Sequence, residues 1–120
     1  MLSILFILLL LLFLSSSPAC PPLPSDISSF AGVSPIEVVS SREDTRKGLM
    51  HRTELKGGML FAFPREQVGG FWMKNTPLPL HIDFYDRDQR FLGRRKGVPF
   101  STTNVGVSMP YCYVLETERK

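Results

Sequence analysis

A strong charge of either sign is absent from this chain: fourteen Lys and Arg stand against eleven Asp and Glu, a formal net charge of +3. So mild a basic surplus falls short of the footprint of a nucleic-acid binder and suits an anionic surface only weakly. No nucleic-acid partner is expected. Uninterrupted helix-forming stretches are also missing. Prolines at Pro18, Pro21, Pro22, Pro24, Pro77, Pro79, Pro99 and Pro110 occupy linker and loop positions and leave no room for long helices. There is no internal repeat. The apolar content of 43% is inflated by the first fourteen residues; without them about a hundred residues remain, enough for one modest core and no second domain.

What is present begins with an unbroken apolar run from Ile4 to Leu14, followed by Ser15, Ser16, Ser17, Pro18, Ala19 and Cys20. This pattern matches the apolar stretch and small-residue cut site of a secretory leader, although no Lys or Arg precedes it. The run is short for a bilayer span. Residues 1–19 are therefore expected to be a signal peptide, and the protein to be exported to the periplasm, the cell envelope or the medium. Cys20 stands where a lipoprotein carries its acylated cysteine, but Ser17 replaces the usual Leu, and an ordinary cut after Ala19 fits equally well. Membrane contact is expected only through the leader or a lipid on Cys20, and the protein is expected to be a monomer.

Residues 20–35 are rich in Pro and Ser and predict a tether that does not fold. Residues 36–120 form the predicted domain. Ile36 to Val39 is a β-branched run, and Ser41 with Asp44 predicts a capped short helix through Arg46 that ends near Gly48. Gly57 and Gly58 turn into an apolar strand from Met59 to Phe63, stopped by Pro64, and Gly69 and Gly70 launch Phe71 to Met73. Leu80, Ile82 and Phe84 alternate with His81, Asp83 and Tyr85, the period of a half-buried strand. Arg90 to Lys96 returns as its hairpin partner, and Tyr111 to Thr117 is a last strand. The expected fold class is α+β, predominantly β: a small antiparallel sheet or barrel-like domain with five or six strands and one or two short helices.

Three segments are far more specific than their composition: Arg46 to Arg52 (RKGLMHR), Gly58 to Phe63 (GMLFAF) and Phe71 to Thr76 (FWMKNT). With Tyr113 to Glu116 (YVLE) they resemble the signature of the domain of unknown function 192 family (DUF192), over Ile36 to about Glu116. The resemblance implies a compact β-rich fold in bacteria and archaea, often behind a signal peptide, and no established activity. In two respects the chain departs from that pattern. His81 stands where the family usually has Asp, with Asp83 two residues on, and the family continues past its Y-V-L-E strand into a segment absent here. The C-terminal end of the domain is thus expected to be missing.

Phe71 to Thr76 supplies an indole, a thioether, an ammonium, an amide and a hydroxyl in succession. Trp72 can stack on a flat group, while Lys74, Asn75 and Thr76 offer a cation and hydrogen-bonding groups. The alternative is structural: Phe71 and Met73 in the core, and Asn75 and Thr76 holding the loop before Pro77. Arg46 and Arg52 can grip a carboxylate or phosphate together with Lys74, or pair with Glu43, Asp44 or Glu54 at the surface. Met50, Met59, Met73, Met109, His51, His81 and Cys112 are soft donors without ligand spacing, so no metal and no cofactor is expected. Cys20 and Cys112 can form a disulfide, unless Cys20 is acylated or removed. If it is, Cys112 is a lone strand thiol with only a weak claim to pair with His81 as a nucleophile. The charges of Arg90, Arg94, Arg95 and Lys96 fit a solvated hairpin face, or contact with anionic envelope components.

Three functions remain. The leading one is a non-catalytic envelope module that binds a small molecule or envelope component through Arg46, Arg52, Trp72, Lys74, Asn75, Thr76, His81 and Asp83. The second is a hydrolase or transferase with Asp83 as general base beside His81 or Lys74. The third is a purely structural exported domain.

Overall fold

The computed structural model describes residues 17–120, so the apolar run of the leader lies outside the described residues. Five strands and one helix follow one another: β1 (Ile36–Val39), α1 (Arg42–Lys47), β2 (Gly58–Phe71), β3 (Leu80–Tyr85), β4 (Phe91–Gly97) and β5 (Val105–Glu118). The strands make one sheet in the order β1-β2-β5-β3-β4. Predominantly β with one short helix is therefore the architecture, but the sheet is mixed. β1 runs parallel to β2, because the chain crosses back through α1 before re-entering the sheet, whereas β2, β5, β3 and β4 pair antiparallel.

The helix forms where its caps predict. The Ser41 hydroxyl accepts the Asp44 N–H at 3.0 Å, Glu43 and Asp44 occupy the first turn, and Arg46 and Lys47 the last. Each charge suits its end of the helix dipole. Gly48 stops the helix at φ 49° while its N–H donates to the Asp44 carbonyl at 2.8 Å. No residue of α1 is buried, so it contributes position rather than core.

Prolines do not end the long strands as the sequence predicts. β2 runs on past Pro64 to Phe71, and β5 begins at Val105 and passes Pro110. The pairing absorbs both prolines by shifting register between Ala62 and Gln67 and again before Gly69. Irregular positions of this kind are where a strand tolerates a missing donor. The outer part of these two strands forms an arm beside the loop that begins at Trp72.

Both faces of the sheet are covered. On one face Phe61, Met73, Leu80, Ile82, Phe84, Tyr111 and Val114 pack together with Leu49 and Leu78 from the connecting segments. On the other, Leu60, Tyr85, Tyr113 and Leu115 pack beneath residues 20–35. That segment is not a free tether. Phe30 is buried, with its ring edge-on to Tyr85 at 5.0 Å, and Leu23, Ile27 and Val33 lie against the same cluster. The Tyr113 hydroxyl donates to the Pro21 carbonyl, and Cys20 is joined to Cys112 by a disulfide 92 residues apart in sequence. The physical reason is the second apolar face of β5 and β3, which water would otherwise cover. A proline-rich strip can lie on it while leaving few N–H groups unpaired.

Candidate functional site

Between α1, the inner end of the β2–β5 arm and the loop from Trp72 to Thr76 lies a cavity of about 360 Å³. Its mouth is formed by the exposed residues Arg46, Lys47, Val68 and Trp72, and its floor by the buried Phe61, Met73, Leu80 and Glu116. The volume is in the range of small-molecule sites. Tyr111 and Phe71 line the wall, and burial pushes the Tyr111 phenol up to about 12, so it stays protonated.

The loop that carries Trp72 is pinned from several directions. The Met73 N–H donates to the Ser101 carbonyl at 2.8 Å, the Phe100 N–H to the Thr76 carbonyl at 3.1 Å, and the His51 N–H to the Asn75 carbonyl at 2.7 Å. The Thr76 hydroxyl donates to the Lys74 carbonyl at 3.1 Å. Asn75 occupies the left-handed region at φ 55°, which its short amide side chain tolerates. Asn75 and Thr76 thus hold the loop, and Thr76 also faces the cavity. Lys74 stands with its ammonium 5.1 Å from the centre of the Trp72 ring, a cation–π contact that orients the indole.

Of the eight residues expected to form a site, the fold gathers Arg46, Trp72 and Thr76 at the cavity, with Lys74 and Asn75 in the loop beside it. The other three stand elsewhere. Arg52 pairs with Glu37 of β1 at 2.8 Å, a partner further away in sequence than the acids expected for it. Strand alternation sends Leu80, Ile82 and Phe84 to the cavity side, which leaves His81 and Asp83 on the opposite face. There Asp83 is buried and gripped by Arg94, Nε to Oδ1 at 2.7 Å and Nη2 to Oδ2 at 2.9 Å. The same hydrogen bonds raise the Arg94 pKa further. Asp83 is thus the ion-pair partner of Arg94 on the same face as His81, opposite the cavity and the loop that carries Lys74. Nor can Cys112 act as a nucleophile or Cys20 take a lipid while their sulfurs are bonded to each other. The methionines are scattered between the core (Met59 and Met73) and the surface (Met109). Among the described residues no three His, Cys, Asp or Glu side chains converge.

The residue that sequence reasoning passed over is Glu116. It lies between Met59 of β2 and Ile82 of β3 in the register of the sheet and is 4% exposed. Among the described residues it makes no ion pair, and burial alone pushes its pKa up to about 8 from an ordinary 4.5. A carboxyl held in an apolar floor without a partner is neutral at pH 7, able to donate one hydrogen bond and accept another. It was legible as the one charge closing the apolar run Tyr111 to Leu115.

Two further cavities differ in character. One of about 780 Å³ lies under residues 20–27 and has no charged side chain in its lining. One of about 460 Å³ lies beside Arg52 and includes the Glu37 with which Arg52 is paired.

With this geometry in place, the comparisons with known proteins agree on the fold. The sequence pattern of DUF192, described as "Uncharacterized ACR", matches residues 27–120. The chain belongs to the DUF192 family. Residues 27–35, which pack on the sheet, are part of the matched domain. A crystal structure of a protein of unknown function from Novosphingobium aromaticivorans DSM 12444 superimposes with a TM-score of 0.67 at 28% identity, covering 87% of this chain and 82% of that one. A protein from Sinorhizobium meliloti 1021, named a "putative transcription regulator", gives a TM-score of 0.65 at 33% identity over 69% of this chain and 67% of its own. No curated protein matches.

Proposed function

We propose that this DUF192 domain is an exported, non-catalytic binding module that holds a small ligand in the cavity between α1 and the Trp72 loop. The observation that carries the reading is Glu116, a buried carboxyl that makes no ion pair among the described residues, facing a small-molecule-sized cavity whose mouth bears Arg46, Lys47 and the half-exposed Trp72. Burying a polar group costs stability, and buried acids with raised pKa values concentrate at functional sites. The surroundings suit binding: a pinned loop, an indole held by Lys74 and a wall of aromatic rings. Export is supported by the leader-like run Ile4 to Leu14 and by the Cys20–Cys112 disulfide, a bond that persists in oxidising compartments. A net charge of +3 and, among the described residues, a single six-residue helix give little support to a DNA-reading role, or to carrying over the regulator name of the Sinorhizobium protein.

The same carboxyl favours one second reading, an enzyme with Glu116 as general acid. It is the weaker of the two because the Thr76 hydroxyl at the cavity is already committed to the Lys74 carbonyl. A thermal-shift screen against sugars, amines and organic anions, run on wild type and on Trp72→Ala and Arg46→Ala variants, tests the binding reading. Ligands that stabilise the wild type and lose their effect in either variant support it. Identical responses in all three proteins would remove it.

A further inference from the structure

From the arrangement of charge in this cavity we infer the chemical class of the ligand: a small molecule with an apolar body that places an ammonium group against Glu116 and an anionic group near Arg46 and Lys47. The inference rests on the cavity being the binding site and goes beyond it by fixing which end of the ligand goes where.

Glu116 is flanked on both neighbouring strands by apolar partners, Met59 and Ile82, so no cation from the sheet neutralises it. The charged groups around it are few. Arg46 and Lys47 of α1 line the mouth of the cavity and make no ion pair with it. Tyr111 on its own strand is held protonated, and His81 and Asp83 of β3 belong to the other face. Beyond it on β5, Glu118 is half-buried, and Arg119 turns its Nη2 towards the Gly97 carbonyl at 3.5 Å. A carboxyl in so apolar a place gains most from a partner that brings positive charge and N–H donors at once, and an ammonium does both. A carboxylate ligand at the same position can bind only the protonated acid, through a single O–H···O⁻ bond, and meets a like charge as soon as that acid ionises.

The mouth has the opposite preference. Arg46 and Lys47 end α1 side by side, and the cavity between floor and mouth is lined by Phe61, Phe63, Phe71 and Trp72. An apolar, preferably flat body spans that stretch. Because Glu116 is protonated when the cavity is empty at pH 7, seating an ammonium there requires the acid to lose its proton to the solvent. Binding is thereby linked to the release of about one proton.

Isothermal titration at pH 7 in two buffers of different ionisation enthalpy tests this with four probes: benzylamine, 4-(aminomethyl)benzoate, benzyl alcohol and benzoate. Benzylamine and 4-(aminomethyl)benzoate are expected to bind, the latter more tightly, with a buffer-dependent heat that reports close to one proton released. Glu116→Gln is expected to weaken both at least tenfold and abolish the proton release, while Arg46→Ala weakens only 4-(aminomethyl)benzoate. Benzyl alcohol or benzoate binding as tightly as benzylamine overturns the inference, as does ammonium binding that leaves no proton signal or is unchanged in Glu116→Gln. If a neutral or anionic probe still binds and Trp72→Ala abolishes that binding, the site stands and only the ligand class is wrong. Silence from all four probes together with a blank thermal-shift screen overturns both.

Discussion

Glu116 on β5 and Met59 on β2 are direct register partners across the sheet, so a carboxyl faces a thioether where the neighbouring pair is Val114 with Phe61. The acid is set into the apolar face that the rest of the domain is built to bury. Its ionisation state therefore bears on stability as well as on binding.

Because the Glu116 pKa is raised from 4.5 to about 8, the folded protein holds a proton that the unfolded chain has lost between those values. The stabilisation is complete below about pH 4.5 and disappears as pH rises through 8, at roughly 1.4 kcal/mol per pH unit. Urea denaturation of wild type and Glu116→Gln across this window is expected to show a gap that widens with pH in favour of the glutamine variant. Parallel curves would mean the acid is ionised throughout.

The Asp83–Arg94 pair is expected to matter for folding and not for ligands. Removing the guanidinium in Arg94→Ala strands a buried carboxylate, a loss of about 1–3 kcal/mol. Lys at the same place recovers only part, since it cannot reproduce the two-point contact. Thermal melts measure the loss, and probe affinities at the cavity are expected to stay within twofold of wild type.

Reducing the Cys20–Cys112 disulfide, or replacing either cysteine by Ser, is expected to lower stability by about 2–4 kcal/mol. The loss is also expected to be local. Hydrogen exchange at the Cys20 amide, which donates to the Pro64 carbonyl at 2.9 Å, and at the Phe30 amide, bonded to the Val33 carbonyl at 3.0 Å, should speed up before exchange in β5 does.

Most strands were legible because their patterns are local. Leu80 to Tyr85 alternates cleanly, and Ser41 with Asp44 and Gly48 marks both ends of α1. What escaped depends on long-range contact. The apolar run Tyr111 to Leu115 has no polar face, which already says that both sides of β5 are covered. Among the described residues, 20–35 cover the second side, and their composition hid it, since Pro and Ser weigh against folding when read alone. The register shift opposite Ala62 to Gln67 also escaped, and with it the fact that Cys112 faces the covering segment rather than the side of Val114 and Glu116. For the site, the Trp72 loop and Arg46 were legible as polar and aromatic clusters. His81 and Asp83 looked equally good in sequence, and strand parity set them on the far face. Glu116 closes the apolar run of the last strand, a local hint whose meaning comes only from the cross-strand register that sets it between Met59 and Ile82.

The cavity floored by Glu116 is the place where this domain is proposed to meet its ligand. Amide and indole chemical shifts of the labelled protein during titration with 4-(aminomethyl)benzoate test it most directly. Shifts concentrated at Gly48, Leu49, Gly70, the Trp72 indole and Glu116 are the predicted result. Shifts confined to the Asp83–Arg94 face, or none at millimolar probe, would contradict it.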